Sequence, residues 1–208
     1  MPKSYTEEER NDIIKKLKEE ANSLMQEKGV KKTTVDELVR RVGIPKGTFY
    51  LFYPSKEMLL FDCSQDYHEI VNKHISEGLK RIFSERKIDV DKENAYTGCI
   101  DDIIDVILGG LKMVRNSCLK TLLDPESMEL VLSKLPEDVL EKHRKWENPI
   151  NREIEKLISA KKELNIEELS GAFVMILLGG MYKSVVGESN MEGSMRLLVK
   201  GLVMQIFG

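Results

Sequence analysis

A chain of 208 residues with 41% apolar and 32% charged residues has an ordinary globular composition, long enough for a small domain joined to a larger one. It contains no apolar run near the ~18 residues of a membrane span and no secretory pattern at its start, so we expect neither a membrane span nor secretion, and we expect a cytoplasmic protein. The net charge of −3 is uneven, because residues 1–56 hold 12 basic and 9 acidic side chains while the rest hold 20 and 26. The basic end is therefore the better candidate for contact with DNA.

The first predicted helix runs from Tyr5 to Lys28. Its apolar residues recur with helical spacing, Thr6 can cap its start, and Gly29 can end it in the left-handed conformation that glycine tolerates. We expect this helix to pack beneath the two helices that follow.

The second predicted helix begins with a capping box, in which Thr34 caps the helix and Glu37 reaches back to the amide of the cap. It ends at Gly43, only a few residues before the next helix. Pro45 fits the first turn of that third helix, and Pro54 ends it. Two short helices joined by a tight glycine turn predict a helix-turn-helix.

The third predicted helix has the features of a recognition helix. Small or basic residues at its start (Lys46, Gly47 and Thr48) allow close approach to base edges, while its N–H groups favour phosphate oxygens. Phe49 and Phe52 are expected to face inward, which leaves Lys46, Thr48, Tyr50 and Leu51 outward.

Helices continue through the remainder of the chain. One long helix is predicted from Ser55 to Ser84, with no flexible linker before it, so a shift at its far end would move the recognition helix. A helix over 94–115 is interrupted by Gly109 and Gly110, which should be compensated by close helix approach, a bend or room for a ligand. Further helices are expected at 118–123, 126–135 and 136–160, the last kinked at Pro149.

Two final helices, about 166–187 and 191–207, are the most apolar part of the chain. Their apolar faces are either internal core or a surface that pairs with a second copy in a four-helix bundle. The two-fold symmetry of most DNA readers favours the second interpretation, a homodimer.

The run GIPKGTFYLFYPSKEMLL, residues 43–60, resembles the TetR family of bacterial one-component transcriptional regulators. The resemblance extends over about residues 13–60. It implies an all-α protein with an N-terminal three-helix DNA-binding domain (1–56) and a larger helical effector-binding and dimerisation domain (57–208). It further implies a homodimeric repressor of a pseudo-palindromic operator, with recognition helices roughly 34 Å or a multiple of that apart, released by an unknown small molecule.

By this resemblance the DNA contacts are expected at Thr33, Thr34, Lys46, Gly47, Thr48, Tyr50, Tyr53 and Lys56. An effector pocket between helices is mainly apolar and aromatic, and its candidate lining residues are Tyr67, Tyr96, Met113, Trp146, Phe173 and Tyr182. The sequence shows no catalytic constellation, metal-ligand spacing or phosphate loop, so we expect no enzyme activity, cofactor or metal. Cys63, Cys99 and Cys118 lack C-x-x-C spacing and fit reduced thiols.

Two alternatives stay open from sequence. One is a helical carrier or enzyme that does not bind DNA. The other is a DNA-binding regulator controlled by a protein partner instead of a small molecule.

Overall fold

A computed structural model describes residues 5–88, 96–144 and 165–207. In these ranges every regular element is helical, which confirms the all-α prediction. The helices are α1 (Glu7–Lys32), α2 (Val35–Val42), α3 (Lys46–Phe52), α4 (Lys56–Glu85), a 3-10 turn (Thr97–Cys99), α5 (Ile100–Asn116), α6 (Leu119–Leu122), α7 (Pro125–Leu132), α8 (Glu137–Arg144), α9 (Ile166–Gly179), α10 (Lys183–Val186) and α11 (Glu188–Phe207). Over the same residues, no helix is both long and apolar enough to cross a membrane.

The chain divides into two compact units. The first contains residues 1–68 and 117–145, and the second contains residues 69–116 and 146–208. The first unit therefore includes the whole predicted DNA-binding region 1–56 and adds α6, α7 and α8. The division falls within α4, whose first part belongs to one unit and whose remainder belongs to the other.

Local signals set the ends of α1. The Thr6 side chain accepts a hydrogen bond from the Glu9 amide at 3.2 Å, and the Glu9 carboxylate accepts one from the Thr6 amide at 2.9 Å, a complete capping box. At the other end Gly29 has φ 81° and ψ 172°, which breaks the helix before one last turn. The predicted end at Gly29 is thus confirmed.

The core of the first unit consists of apolar side chains from its first four helices. α1 contacts α2 and α6, and α2 contacts α3. The side chains that are shielded fully from solvent here include Leu17, Leu24 and Met25 of α1, Leu38 of α2, Phe49 of α3, and Leu59 and Leu60 of α4. A small helix-turn-helix thus gains its core by packing on the long helices that flank it.

The second unit is built around α5 and α11, which pack against each other, with α9 also on α11. Its core consists of buried residues of α4, α5, α9 and α11 together with an aromatic cluster. In this cluster the Tyr96 ring lies 5.4 Å from the Phe83 ring and 5.0 Å from the Phe207 ring. These side chains supply the apolar burial that holds the unit together.

The paired glycines of α5 allow α4 to approach closely. A Cβ at Gly109 would lie 2.7 Å from His74 Nε2, and one at Gly110 would lie 3.1 Å from the Ile75 side chain. The expected interruption at these glycines is wrong, since α5 continues through both. Close helix packing, one of the three compensations expected, accounts for them.

Two other boundaries differ from the sequence analysis. α5 begins at Ile100 after a 3-10 turn, so the predicted start at residue 94 is too early for the described part of the chain. The final pair is α9 and α11, with the short α10 between them. Only α8 is described from the predicted helix 136–160; residues 145–160, with the predicted kink at Pro149, lie outside the described ranges.

Candidate nucleic-acid interface

The start and end of α2 form as predicted, but half of the capping box does not. Thr34 caps the helix by accepting a hydrogen bond from the Glu37 amide at 3.3 Å, and Gly43 ends it with φ 76° and ψ 35°. The Glu37 carboxylate, however, pairs with Lys28 and Arg41 instead of the Thr34 amide. Two cations outcompete one neutral N–H for the carboxylate, because charge-assisted hydrogen bonds are the stronger ones.

The recognition helix α3 starts one residue later than predicted. Pro45 is its N-cap, with φ −61° and ψ 146°, and is not part of the first turn. Phe49 anchors the helix and is fully buried, as expected. Phe52 is partly buried, with the Tyr5 ring 6.0 Å away and the Arg10 guanidinium 5.0 Å from its ring centroid. The segment before α1 and the first turns of α1 therefore cover one end of α3.

The outward surface of α3 contains most of the residues expected there. Tyr50 is 50% exposed, Leu51 is 54% exposed, and the Lys46 side chain is 51% exposed. Gly47 is exposed, and a Cβ there would meet nothing within 4 Å. This surface can approach a groove closely and offers an ammonium and a phenol as hydrogen-bond donors.

The expected outward position of Thr48 is wrong. Its side chain is buried, with 7% exposed, and its hydroxyl shares a hydrogen bond of 3.2 Å with the Tyr5 hydroxyl. Helical period places Thr48 near the edge of the buried face, and Tyr5, from outside the helix-turn-helix, then covers it. Thr48 thus holds α3 to the N-terminal segment in this structure.

Two other predicted contacts have their polar atoms engaged within the first unit. Thr33 is fully buried and donates to the Gly29 carbonyl at 2.9 Å. Tyr53 is 7% exposed, and its hydroxyl donates to the Asp62 carboxylate at 2.6 Å. Burial, followed by the carboxylate, raises the pKa of Tyr53 above its ordinary value. Both side chains tie the helix-turn-helix to its flanking helices.

Lys56 also forms its hydrogen bond within the first unit. Its ammonium donates to the Val30 carbonyl at 3.0 Å, and the side chain is only 17% exposed. Val30 belongs to the last turn of α1, beyond Gly29, and its carbonyl also accepts a hydrogen bond from the Thr33 amide at 3.3 Å. Lys56 therefore connects the first turn of α4 to the end of α1.

An ion-pair network fixes α1 against α2. Arg41 reaches Glu27 at 2.6 Å, Glu37 at 3.3 Å and Glu20 at 3.5 Å. Hydrogen bonds from Arg41, and then from Ser23, lower the pKa of Glu27 to about 2. A network of several charges orients two helices more firmly than isolated surface pairs do.

The exposed charges of the helix-turn-helix include two residues that the sequence analysis left out. The Arg40 side chain on α2 is 72% exposed, and Asp36, one turn earlier, is 75% exposed. The helical period could have found both, because they lie opposite the buried Leu38 and Val39. Thr34 at the start of α2 is also exposed.

The predicted effector residues are divided between the first unit, the second unit and the undescribed part of the chain. Tyr67 lies in the first unit, where burial and then Cys118 raise its pKa to about 12. Tyr96 is a buried member of the aromatic core of the second unit. Met113 and Phe173 are half-buried there, Tyr182 is 50% exposed, and Trp146 lies outside the described residues. Their binding of an effector stays a prediction.

Among the described residues, exposed apolar side chains lie on α9 and α11, opposite their core sides. α11 buries Met195, Val199 and Val203, while Leu197, Leu198 and Met204 of the same helix are 73%, 55% and 47% exposed. On α9, Val174 and Met175 are 52% and 74% exposed. Helices with apolar residues on both sides usually have a second partner.

In the first unit a glycine turn joins two short helices, and the second of them has an exposed N-terminal turn. This arrangement is that of a helix-turn-helix DNA-binding domain. Residues 18–63 match the family model for bacterial regulatory proteins of the tetR family. Over 51 residues the chain is 39% identical to an uncharacterized HTH-type transcriptional regulator, YuxN, of Bacillus subtilis (strain 168), an alignment that spans 24% of this chain and 18% of that protein. The amino-terminal region is thus a TetR-family DNA-binding domain, as the resemblance predicted.

Proposed function

We propose that the protein is a transcriptional repressor that binds a pseudo-palindromic operator as a homodimer and releases it when a small molecule binds the second unit. The observation that carries the DNA-binding part is the exposed surface of α3, with Lys46, Gly47 and Tyr50 outward on a helix held firmly by Phe49. Thr34 and Arg40 on α2 extend this surface.

Each exposed group suits a distinct role on a duplex. The Lys46 ammonium can donate to a phosphate or to a guanine edge, while Gly47 allows the backbone to approach a base pair. Tyr50 can donate to a phosphate, and Thr34, at the start of α2, lies where phosphates are favoured by a helix N-terminus. The two protomers of a dimer would read half-sites one or more helical turns of DNA apart.

The apolar surface of α9 and α11 supports the homodimer. Five large apolar side chains there are about half or more exposed, and the same two helices already contribute their other sides to a core. Pairing with the same surface of a second copy is the simplest closed arrangement that would cover them.

The continuity of α4 supports the proposed effector control. This helix starts just after the helix-turn-helix and continues unbroken for 30 residues, ending in the second unit. A ligand that prefers one arrangement of the second unit would shift the population of the arrangement that fits the operator, and it could do so only by as much as its affinity differs between the two.

The test is selection of genomic fragments by the purified protein, followed by titration of the best fragment. Lys46→Ala should weaken binding to all duplexes and reduce the salt dependence by about one ion for each half-site. The matched control is Lys112→Ala, which removes an exposed lysine of α5 in the second unit and should leave binding unchanged. Equal, salt-insensitive recovery of all fragments would contradict the proposal and favour a carrier or enzyme.

A further inference from the structure

The exposed face of the helix-turn-helix contains an ion pair between its two helices. The Lys46 ammonium lies 2.8 Å from Asp36 Oδ1, and the pair joins the first turn of α3 to the first turn of α2. The Asp36 side chain is 75% exposed and the Lys46 side chain is 51% exposed. Both groups therefore stand on the surface that a duplex would meet.

The neighbouring charged side chains of α2 pair with other residues and not with Lys46 or Asp36. Arg40, on the same face of α2, is directed toward Glu37 at 3.7 Å, and Glu37 itself is occupied by Lys28 and Arg41. The hydrogen bond from Lys46 to Asp36, followed by their attraction, raises the pKa of Lys46. The carboxylate stands where phosphates would approach.

Resting on the proposed function, we infer that Asp36 is a specificity-determining residue for DNA, which suppresses binding to arbitrary duplexes more than binding to the operator. An ammonium has three N–H donors, and Asp36 occupies one of them. The other donors remain available to an acceptor in a fixed position, such as a base edge of the operator. Asp36 acts on DNA through the placement of Lys46 and through its own charge.

The two kinds of complex respond differently to a carboxylate at this position. Non-specific binding is almost wholly attraction to phosphates, so a negative charge at the interface weakens it directly. Operator binding adds directed contacts to base edges, and holding Lys46 in one orientation favours those contacts. The carboxylate thus raises the ratio of operator affinity to non-specific affinity.

The perturbation is Asp36→Asn, which keeps the size of the side chain and removes its charge. With a slope of about 0.9 per phosphate charge, one added unit of interface charge strengthens non-specific binding roughly fivefold at 0.15 M salt for each protomer engaged. The salt slope should steepen by about one per protomer. Operator affinity should rise by less, so the ratio of operator to non-specific affinity should fall.

The experiment titrates the best genomic fragment and a shuffled duplex of equal length with the full-length protein, by fluorescence anisotropy over a series of salt concentrations. Glu19→Gln is the matched control, because it removes an exposed carboxylate of α1, outside α2 and α3. It should leave the affinity for both duplexes unchanged. Asp36→Glu should restore the ratio, since it returns the charge. In a Lys46→Met background, which has no ammonium to orient, Asp36→Asn should strengthen operator and non-specific binding by similar factors and leave their ratio nearly unchanged.

Circular dichroism melting of each variant establishes that the fold is retained. An unchanged or higher ratio for Asp36→Asn, with wild-type protein binding both duplexes, would overturn this inference and leave the proposed function intact. Absence of salt-dependent binding by the wild-type protein would overturn both.

Discussion

Replacing Leu197 with alanine tests the pairing surface of α11. In a single chain this side chain is 73% exposed, so its removal leaves the core of the second unit untouched. Val199, two residues further along, is fully buried and marks the opposite, internal side of the same helix. A change at Leu197 therefore separates association from folding.

The exposed fraction of Leu197 determines how far the substitution should weaken the dimer. Full burial of a leucine side chain contributes about 1.5–3 kcal/mol, and a side chain that starts 73% exposed gains most of this, about 1–2 kcal/mol, when a partner covers it. A symmetric dimer contains two copies of Leu197, which makes about 2–4 kcal/mol. At 1.4 kcal/mol per tenfold, the dissociation constant should rise about thirtyfold to several hundredfold.

Sedimentation equilibrium over a range of protein concentrations measures this constant directly. Leu51→Ala is the control, because Leu51 is similarly exposed, at 54%, but lies on α3, on the surface that we propose faces DNA. It should leave the constant unchanged. A dimer as tight for Leu197→Ala as for the wild type, or a wild-type chain that is monomeric throughout, would refute the assignment of α9 and α11 to pairing.

Three further substitutions, two of them with a control variant, test the first and second units separately. Arg41→Gln should lower the melting temperature at pH 7, and this difference should shrink as the pH falls from about 5 toward 2, because the stability from Glu27 is complete above its unfolded pKa and is lost as the pH falls toward its folded pKa of about 2; a pH-independent difference in calorimetry would contradict this. Lys56→Met should lower the free energy of unfolding in urea by about 1–3 kcal/mol, through the lost charged hydrogen bond to Val30, whereas Lys46→Met should change it by less than about 0.5 kcal/mol; equal effects would argue against a stabilising role for the Lys56 hydrogen bond. Gly109→Ala should destabilise by about 1–3 kcal/mol, because its Cβ would meet His74 Nε2 at 2.7 Å, while Gly47→Ala, with open space around it, should stabilise by about 0.5–1 kcal/mol; a gain in stability at Gly109 would show that α4 and α5 are less closely packed.

Local chemistry made the helix ends predictable. Thr6 and Thr34 cap their helices, Gly29 and Gly43 end theirs with positive φ, and Ser55 accepts a hydrogen bond from the Met58 amide at the start of α4. Each of these signals lies within three or four residues of the feature it sets. Sequence order alone is then sufficient to find them.

The site was less predictable, because the position of a polar side chain depends on residues far away in sequence. Thr48 is covered by Tyr5, which lies 43 residues earlier, and Lys56 reaches a carbonyl 26 residues earlier. Neither partner could be identified from the helical period of α3 or α4. By contrast, the outward positions of Tyr50 and Leu51 follow from the buried Phe49 alone.

The most direct test of DNA reading by α3 is sequencing of sheared genomic DNA retained by the purified full-length protein, beside its Lys46→Ala variant. If α3 reads DNA through Lys46, a small set of enriched fragments should share an inverted repeat, and the variant should lose most of their enrichment. Retained DNA with no shared repeat, or the same enrichment with and without the Lys46 ammonium, would contradict DNA reading by α3.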